Sequence, residues 1–142
     1  MLQLNDVITI PFGKIHKSIH LLDDLTNDDT VLIMDHQKRT VEEVFPGGEV
    51  KSTLTLPHNV YWASKGVDGT TVVVFSDQNK VSGYSPEQKE IWTVPGLSYP
   101  RFDQALPDGN YAILHQRGIT EVDSSGKIVK QMDGRYNQFY RF

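Results

Sequence analysis

The chain has 142 residues, the size of one ordinary domain, with a formal net charge of −4 and no cysteine. The acidic balance excludes a general nucleic-acid binder, whose affinity comes from a basic surface set against phosphates. The missing cysteine excludes a disulfide framework and a thiolate metal site, and no apolar run approaches the ~20 residues that cross a membrane.

Taken from the start, MLQLNDVITIPFGKIHK has no basic leader followed by an apolar block, so no secretory signal is read and a cytoplasmic protein is expected. Asp6 to Pro11 (DVITIP) reads as a strand within an N-terminal piece, 1–14. A first repeat, about 15–56, has strands expected at Ser18–Leu22, Thr30–Asp35, Thr40–Phe45 and Lys51–Leu56. The acidic stretch Leu21–Asp29 is its loop, and Pro46-Gly47-Gly48-Glu49 is a turn. The second repeat, about 57–96, has strands expected at Asn59–Ser64, Thr70–Ser76, Lys80–Ser85 and Glu90–Val94. Thr70–Ser76 (TTVVVFS) is almost wholly apolar, as a strand buried on both faces must be, while Lys80–Ser85 alternates and is half exposed. The third repeat, about 97–134, has strands at Arg101–Leu106, Asn110–Gln116, Gly118–Asp123 and Ile128–Met132. A last aromatic strand, RYNQFYRF at 135–142, closes the chain.

The turn at Asp28-Asp29 returns as Asp68-Gly69 and again as Asp108-Gly109, forty residues apart each time. Several strands in a unit of ~40 residues is the signature of a propeller blade. The predicted fold is therefore all-β: a single domain, 1–142, of three four-stranded propeller blades. DGTTVVVFSDQNKVSGYSPEQKEIWTVPG and PDGNYAILHQRGITEVDSSGKIVKQMDG resemble blades of the NHL, PQQ-like and arylsulfotransferase-like propeller superfamilies. The resemblance covers roughly residues 15 to 137 and implies the architecture; no catalytic motif of those families is matched. Propellers have typically 4–8 blades, so three blades predict a homodimer that closes a six-bladed ring.

The starts of the innermost strands carry the candidate site. The first repeat supplies His16, Lys17 and His20, the second His58, Asn59, Tyr61 and Trp62, and the third Tyr99, Arg101, Phe102 and Asp103. Cations with aromatic walls suit a nucleotide, a phosphorylated sugar or an acidic loop. The bland alternative is that His58 and Arg101 satisfy carbonyls or water. His36 and His115 fall in or near equivalent loops, and the five histidines have no zinc spacing. The serines lack a nucleophile elbow, and no glycine-rich phosphate loop opens a helix. Asp103 or Glu121 with a histidine is the remaining acid–base option. Trp62 and Trp92 suggest a sugar platform, but neither recurs in the other repeats, and Trp92, in an outer strand, suits core packing. Arg135, Tyr136, Tyr140 and Arg141 mix cations with aromatics in the closing strand.

The function expected from these residues is non-enzymatic binding or sequestration of a small anionic or nucleotide-like ligand in the channel or at the dimer interface. The contact residues are His16, His58, Tyr61, Trp62, Arg101 and Tyr136, with no cofactor or metal. A protein-interaction scaffold, a hydrolase or lyase with a histidine base, and a lectin are the alternatives.

Overall fold

The computed structural model describes residues 17–19 and 29–134. Two compact units are present, Met1–Val60 and Tyr61–Phe142. The first holds one antiparallel sheet, β1 (Lys17–Ile19), β2 (Val31–Asp35), β3 (Thr40–Val44) and β4 (Val50–Thr55), in chain order. The second holds two sheets of the same design. One is β5 (Trp62–Lys65), β6 (Thr71–Phe75), β7 (Lys80–Tyr84) and β8 (Glu90–Val94). The other is β9 (Phe102–Ala105), β10 (Tyr111–His115), β11 (Gly118–Val122) and β12 (Ile128–Asp133). We call the three sheets blades one, two and three. The strand expected at Asp6–Pro11, all but the last residue of the loop expected at Leu21–Asp29, and the closing strand expected at 135–142 lie outside the described residues.

The repeat seen in the sequence is a repeat of hydrogen bonds. Each β3–β4-type hairpin closes alike: Phe45 N donates to Glu49 O, Ser85 N to Lys89 O and Asp123 N to Lys127 O. Each has one residue with positive φ in the turn, Gly48 (94°), Gln88 (68°) and Gly126 (82°), and a register shift beside it. That is a type I turn with a bulge, which adds local twist to the outer strands. The Asp-Gly turns act as read: the Asp68 and Asp108 carboxylates accept the backbone N–H of Thr70 and Asn110.

The strand expectations hold to within a residue or two except at β5, which begins at Trp62, not Asn59. β1 is described at Lys17–Ile19, and residues 20–22 of the strand expected there lie outside the described residues. Ahead of β5 a single backbone bond, Tyr61 N to Val74 O, is all that extends the pairing. Pro57 shortly before it cannot donate to a ladder.

Alternation decides which residues meet. β6 and β10 are buried on both faces, so each sends side chains two ways. Val72, Val74, Val81, Trp92, Val94 and Leu97 of blade two form one cluster with Tyr111, Ile113 and Val122 of blade three. Each such aliphatic side chain, fully buried, contributes about 1.5–3 kcal/mol. Two glycines shape the seam: a methyl group added at Gly126 would lie 2.6 Å from the Trp92 indole, and one at Gly83 would also strike that ring. Tyr111 reaches back from blade three to the first turn of blade two, where a side chain at Gly66 would collide with its hydroxyl. There the phenol hydrogen-bonds with the Asp68 and Thr70 side chains.

Candidate functional site

A recurring anchor holds the segment that follows the outer strand in blades one and two. In blade two, Ser76–Gln78 forms a short 3-10 turn after β6, and Asn79 follows in the left-handed region, φ 53°. Asn79 then holds the next connection twice: its carbonyl accepts Leu97 N at 2.9 Å, and its side-chain oxygen accepts Tyr99 N at 3.1 Å. The Ser76 hydroxyl donates to Pro100 O. In blade one, Arg39 plays the same part at φ 58°. Its carbonyl accepts Leu56 N, and its guanidinium donates to Pro57 O at 3.2 Å, which anchors the segment that carries His58.

Within the second unit a cation–aromatic surface lies at the starts of β5 and β9, the latter approached by the segment that Asn79 holds. Tyr99 is itself left-handed, φ 51°, and 46% exposed. The Arg101 guanidinium lies 5.6 Å from the centre of its ring. A bulky non-glycine residue held with positive φ is a costly conformation, and such strain concentrates at binding sites. One residue further on, Phe102 meets Trp62 with ring centres 4.2 Å apart. Tyr61 and Arg101 are both exposed and occupy matching places, each just ahead of one of those two rings.

Of the six residues expected at the site, Tyr61, Trp62 and Arg101 belong to this surface. His58 is half-buried in the first compact unit, and His16 and Tyr136 lie outside the described residues. Asn79 and Arg39 were not singled out from the sequence. The signal was present, since both are polar residues forty apart that immediately precede a strand.

The acid–base option finds its residues in other roles. Asp103 is fully buried and faces the seam, opposite Ile113 in the register. Its charge adds to the forces that push the Tyr111 hydroxyl up to about 12, of which burial is the largest and the Asp68 carboxylate the next. Glu121 accepts a hydrogen bond from the Asn110 side chain at 2.8 Å. His115 is a hairpin cap. Its Nδ1 accepts Arg117 N at 3.3 Å and its Nε2 lies 2.8 Å from the Thr120 hydroxyl. Burial, and then the Arg117 charge, hold it below the usual imidazole range. By register its counterpart is Asp35, not His36; the Asp35 carboxylate accepts Gln37 N and Lys38 N in the equivalent hairpin. Trp92 is buried in the seam. Among the described residues no group of three or more His, Cys, Asp or Glu is placed to hold a metal ion. No helix among them is long and apolar enough to cross a membrane.

The sequence matches no family model and no curated protein. Solved structures do match. The chain is similar to a protein of unknown function from Bacteroides caccae, with TM-score 0.64 and 18% identity over 85% of this chain and 48% of that one. It is similar to streptogramin B lyase, with TM-score 0.65 and 12% identity over 80% of this chain and 40% of that one. The WD40 beta propeller domain of Doa1 gives TM-score 0.62 and 20% identity, over 78% and 38%. Identities this low speak for the fold alone, and the fold is propeller-like. The chain spans less than half the length of each of these neighbours.

Proposed function

We propose that this is a binding protein that holds a small, planar, anionic ligand of the nucleotide class at the starts of β5 and β9 without converting it. The observation that carries the reading is the Arg101 guanidinium set over the Tyr99 ring, on a backbone pinned by Asn79. A guanidinium backed by an aromatic ring offers fixed donors to a phosphate or carboxylate while its rear face is shielded from water. Trp62, Phe102 and the exposed Tyr61 add flat apolar surface for a base or similar ring. Tyrosine and tryptophan give this area at low conformational cost, so a modest surface can bind usefully.

Titration with adenosine monophosphate, followed by tryptophan emission, tests this. Binding should quench or shift emission, and Trp62→Phe should remove the response while Trp92 still reports folding. Arg101→Ala should weaken binding at least tenfold, because a hydrogen bond to a charged group contributes about 1.5–3 kcal/mol. An unchanged emission, with no retained anion in protein purified from cells, overturns the reading. A response to neutral sugars alone would make it a lectin, and turnover of the probe an enzyme.

A further inference from the structure

The main-chain half of the Asn79 grip is common to all three blades. Leu56 N donates to Arg39 O, Leu97 N to Asn79 O and Gly134 N to Arg117 O, at 2.8, 2.9 and 2.9 Å. That bond belongs to the fold. The side-chain half changes with the segment that follows. In blade one the next residue is Pro57, which has no N–H to offer, and Arg39 donates to its carbonyl. In blade two the side-chain oxygen of Asn79 takes the Tyr99 N–H. Asparagine combines tolerance of a left-handed φ, here 53°, with a short acceptor.

From Leu97 to Arg101 each residue is tied through its backbone. Leu97 N and Tyr99 N go to Asn79, and Pro100 O accepts from the Ser76 hydroxyl, all in the β6–β7 loop of blade two. Ser98 O accepts Gln116 N at 2.7 Å, and Arg101 N donates to Leu114 O at 3.0 Å, both in blade three. Leu97 and Pro100 are buried, while Tyr99 and Arg101 are exposed. The segment is a strap stitched to two blades, and its exposed residues are the cation–aromatic pair. Tyr99 is its weak point. It is aromatic, it is left-handed at φ 51°, and it precedes Pro100, whose ring drives the residue before it toward extended backbone. Released, Tyr99 swings to an extended form and takes its ring away from the Arg101 guanidinium, now 5.6 Å from its centre. The bond that holds its amide against this comes from Asn79.

We infer that Asn79 is a positioning residue for the ligand site: its side chain keeps Tyr99 left-handed, and so sets Arg101 over the Tyr99 ring before any ligand arrives. The role presupposes the nucleotide-class reading of that surface. It acts through the strap and not on the ligand. A site braced in this way loses little freedom on binding, and lost freedom is what usually weakens a site carried on a connection between strands.

Nuclear magnetic resonance of the full chain tests this without a ligand. In the wild type the Tyr99 amide should exchange slowly, and the Arg101 side-chain protons should be shifted upfield by the Tyr99 ring. Asn79→Gly keeps the left-handed turn and the carbonyl bond to Leu97 but removes the side-chain acceptor. Tyr99 exchange should then speed about tenfold or more, and the Arg101 shift should fall by about half or more, while exchange at Ile113 in the seam changes less than about threefold. Asn79→Asp, whose carboxylate accepts the same N–H, should keep both signals. Equal loss of protection at Tyr99 and Ile113 would make Asn79 a purely structural residue and overturns the inference, as does a Tyr99 that keeps its protection and its ring shift in Asn79→Gly. Should the glycine variant not fold, the wild type decides: a scalar coupling across the bond from Tyr99 N–H to the Asn79 side chain supports the role, and its absence overturns it. Titration with adenosine monophosphate separates this from the ligand reading. Asn79→Gly should bind about threefold or more weakly, with the same emission at saturation. Affinity that Asn79→Gly leaves untouched overturns the positioning role. A wild type that ignores the nucleotide overturns the ligand reading instead, and the resonance data still decide whether Asn79 sets Arg101 over Tyr99.

Discussion

Trp92→Ala is expected to lower the stability of the second compact unit by about 3–5 kcal/mol, the range for emptying a large aromatic site in a packed core. The indole is buried between Gly83 of its own blade and Gly126 of the next, and its ring centre lies 6.0 Å from that of Tyr111. Both glycines leave space that only the indole fills, so its removal opens a cavity that neither sheet can close by rotating a side chain. Its ring N–H is buried without a hydrogen-bond partner. The residue's contribution is therefore packing, and a polar replacement of similar size would not recover it. With a typical margin of about 5–15 kcal/mol, the loss takes a large share. Urea unfolding followed by circular dichroism and by Trp62 emission measures it. Ile91→Ala, one residue away and half exposed, serves as the control and should change stability by no more than about 0.5 kcal/mol. A loss below about 1 kcal/mol for Trp92→Ala would mean that the two sheets are held together by something other than this seam.

The strands were legible because their cause is local. Thr71–Phe75 is a run of β-branched and aromatic residues between an Asp-Gly turn and a polar loop, and Tyr111–His115 repeats the arrangement. Trp92 was legible as core for the same reason, since it alternates with exposed Ile91 and Thr93. Contacts between blades were not legible. Tyr111 meets Gly66, Asp68 and Thr70 across some forty positions of chain, and only the rotation of one sheet on the next brings them together. The grip of Asn79 on Tyr99 depends on two left-handed residues that are neither glycine, which no alternation pattern reveals. His115 was obscured by substitution: the hairpin position it caps is filled by aspartate in blade one, so the shared task is not written in a shared residue. Half of the expected site residues were found on one surface because strand starts recur at the repeat spacing. The identity of the cation–aromatic pair there, Arg101 with Tyr99, needed coordinates.

Alkaline pH should unfold the second unit through two tyrosines. The hydroxyls of Tyr111 and Tyr84 are each pushed up to about 12, chiefly by burial, with the Asp68 carboxylate next for Tyr111 and Glu90 for Tyr84. In the unfolded chain both phenols ionise near ~10. Between those values the unfolded state has released its phenolic protons while the folded state still holds them. The unfolded state then binds fewer protons, and stability falls as pH rises. The contribution is fully present below pH ~10 and is lost as pH climbs through the folded value. Each unit of displacement is worth about 1.4 kcal/mol at most, and screening by solvent lowers it, so the two together remove roughly 2–5 kcal/mol by pH ~12. Urea midpoints measured from about pH 8 upward should fall steeply beyond pH ~10, and the part of the phenolate absorbance that is lost on replacing Tyr84 and Tyr111 with Phe should rise in step with unfolding rather than before it. The double variant Tyr84→Phe with Tyr111→Phe separates this from any other alkaline effect on the fold. It should start somewhat less stable, because Tyr111 gives up its bonds with Asp68 and Thr70, yet lose little more as the pH is raised. An equally steep fall in the double variant would assign the alkaline transition to other groups and place both phenols within reach of water.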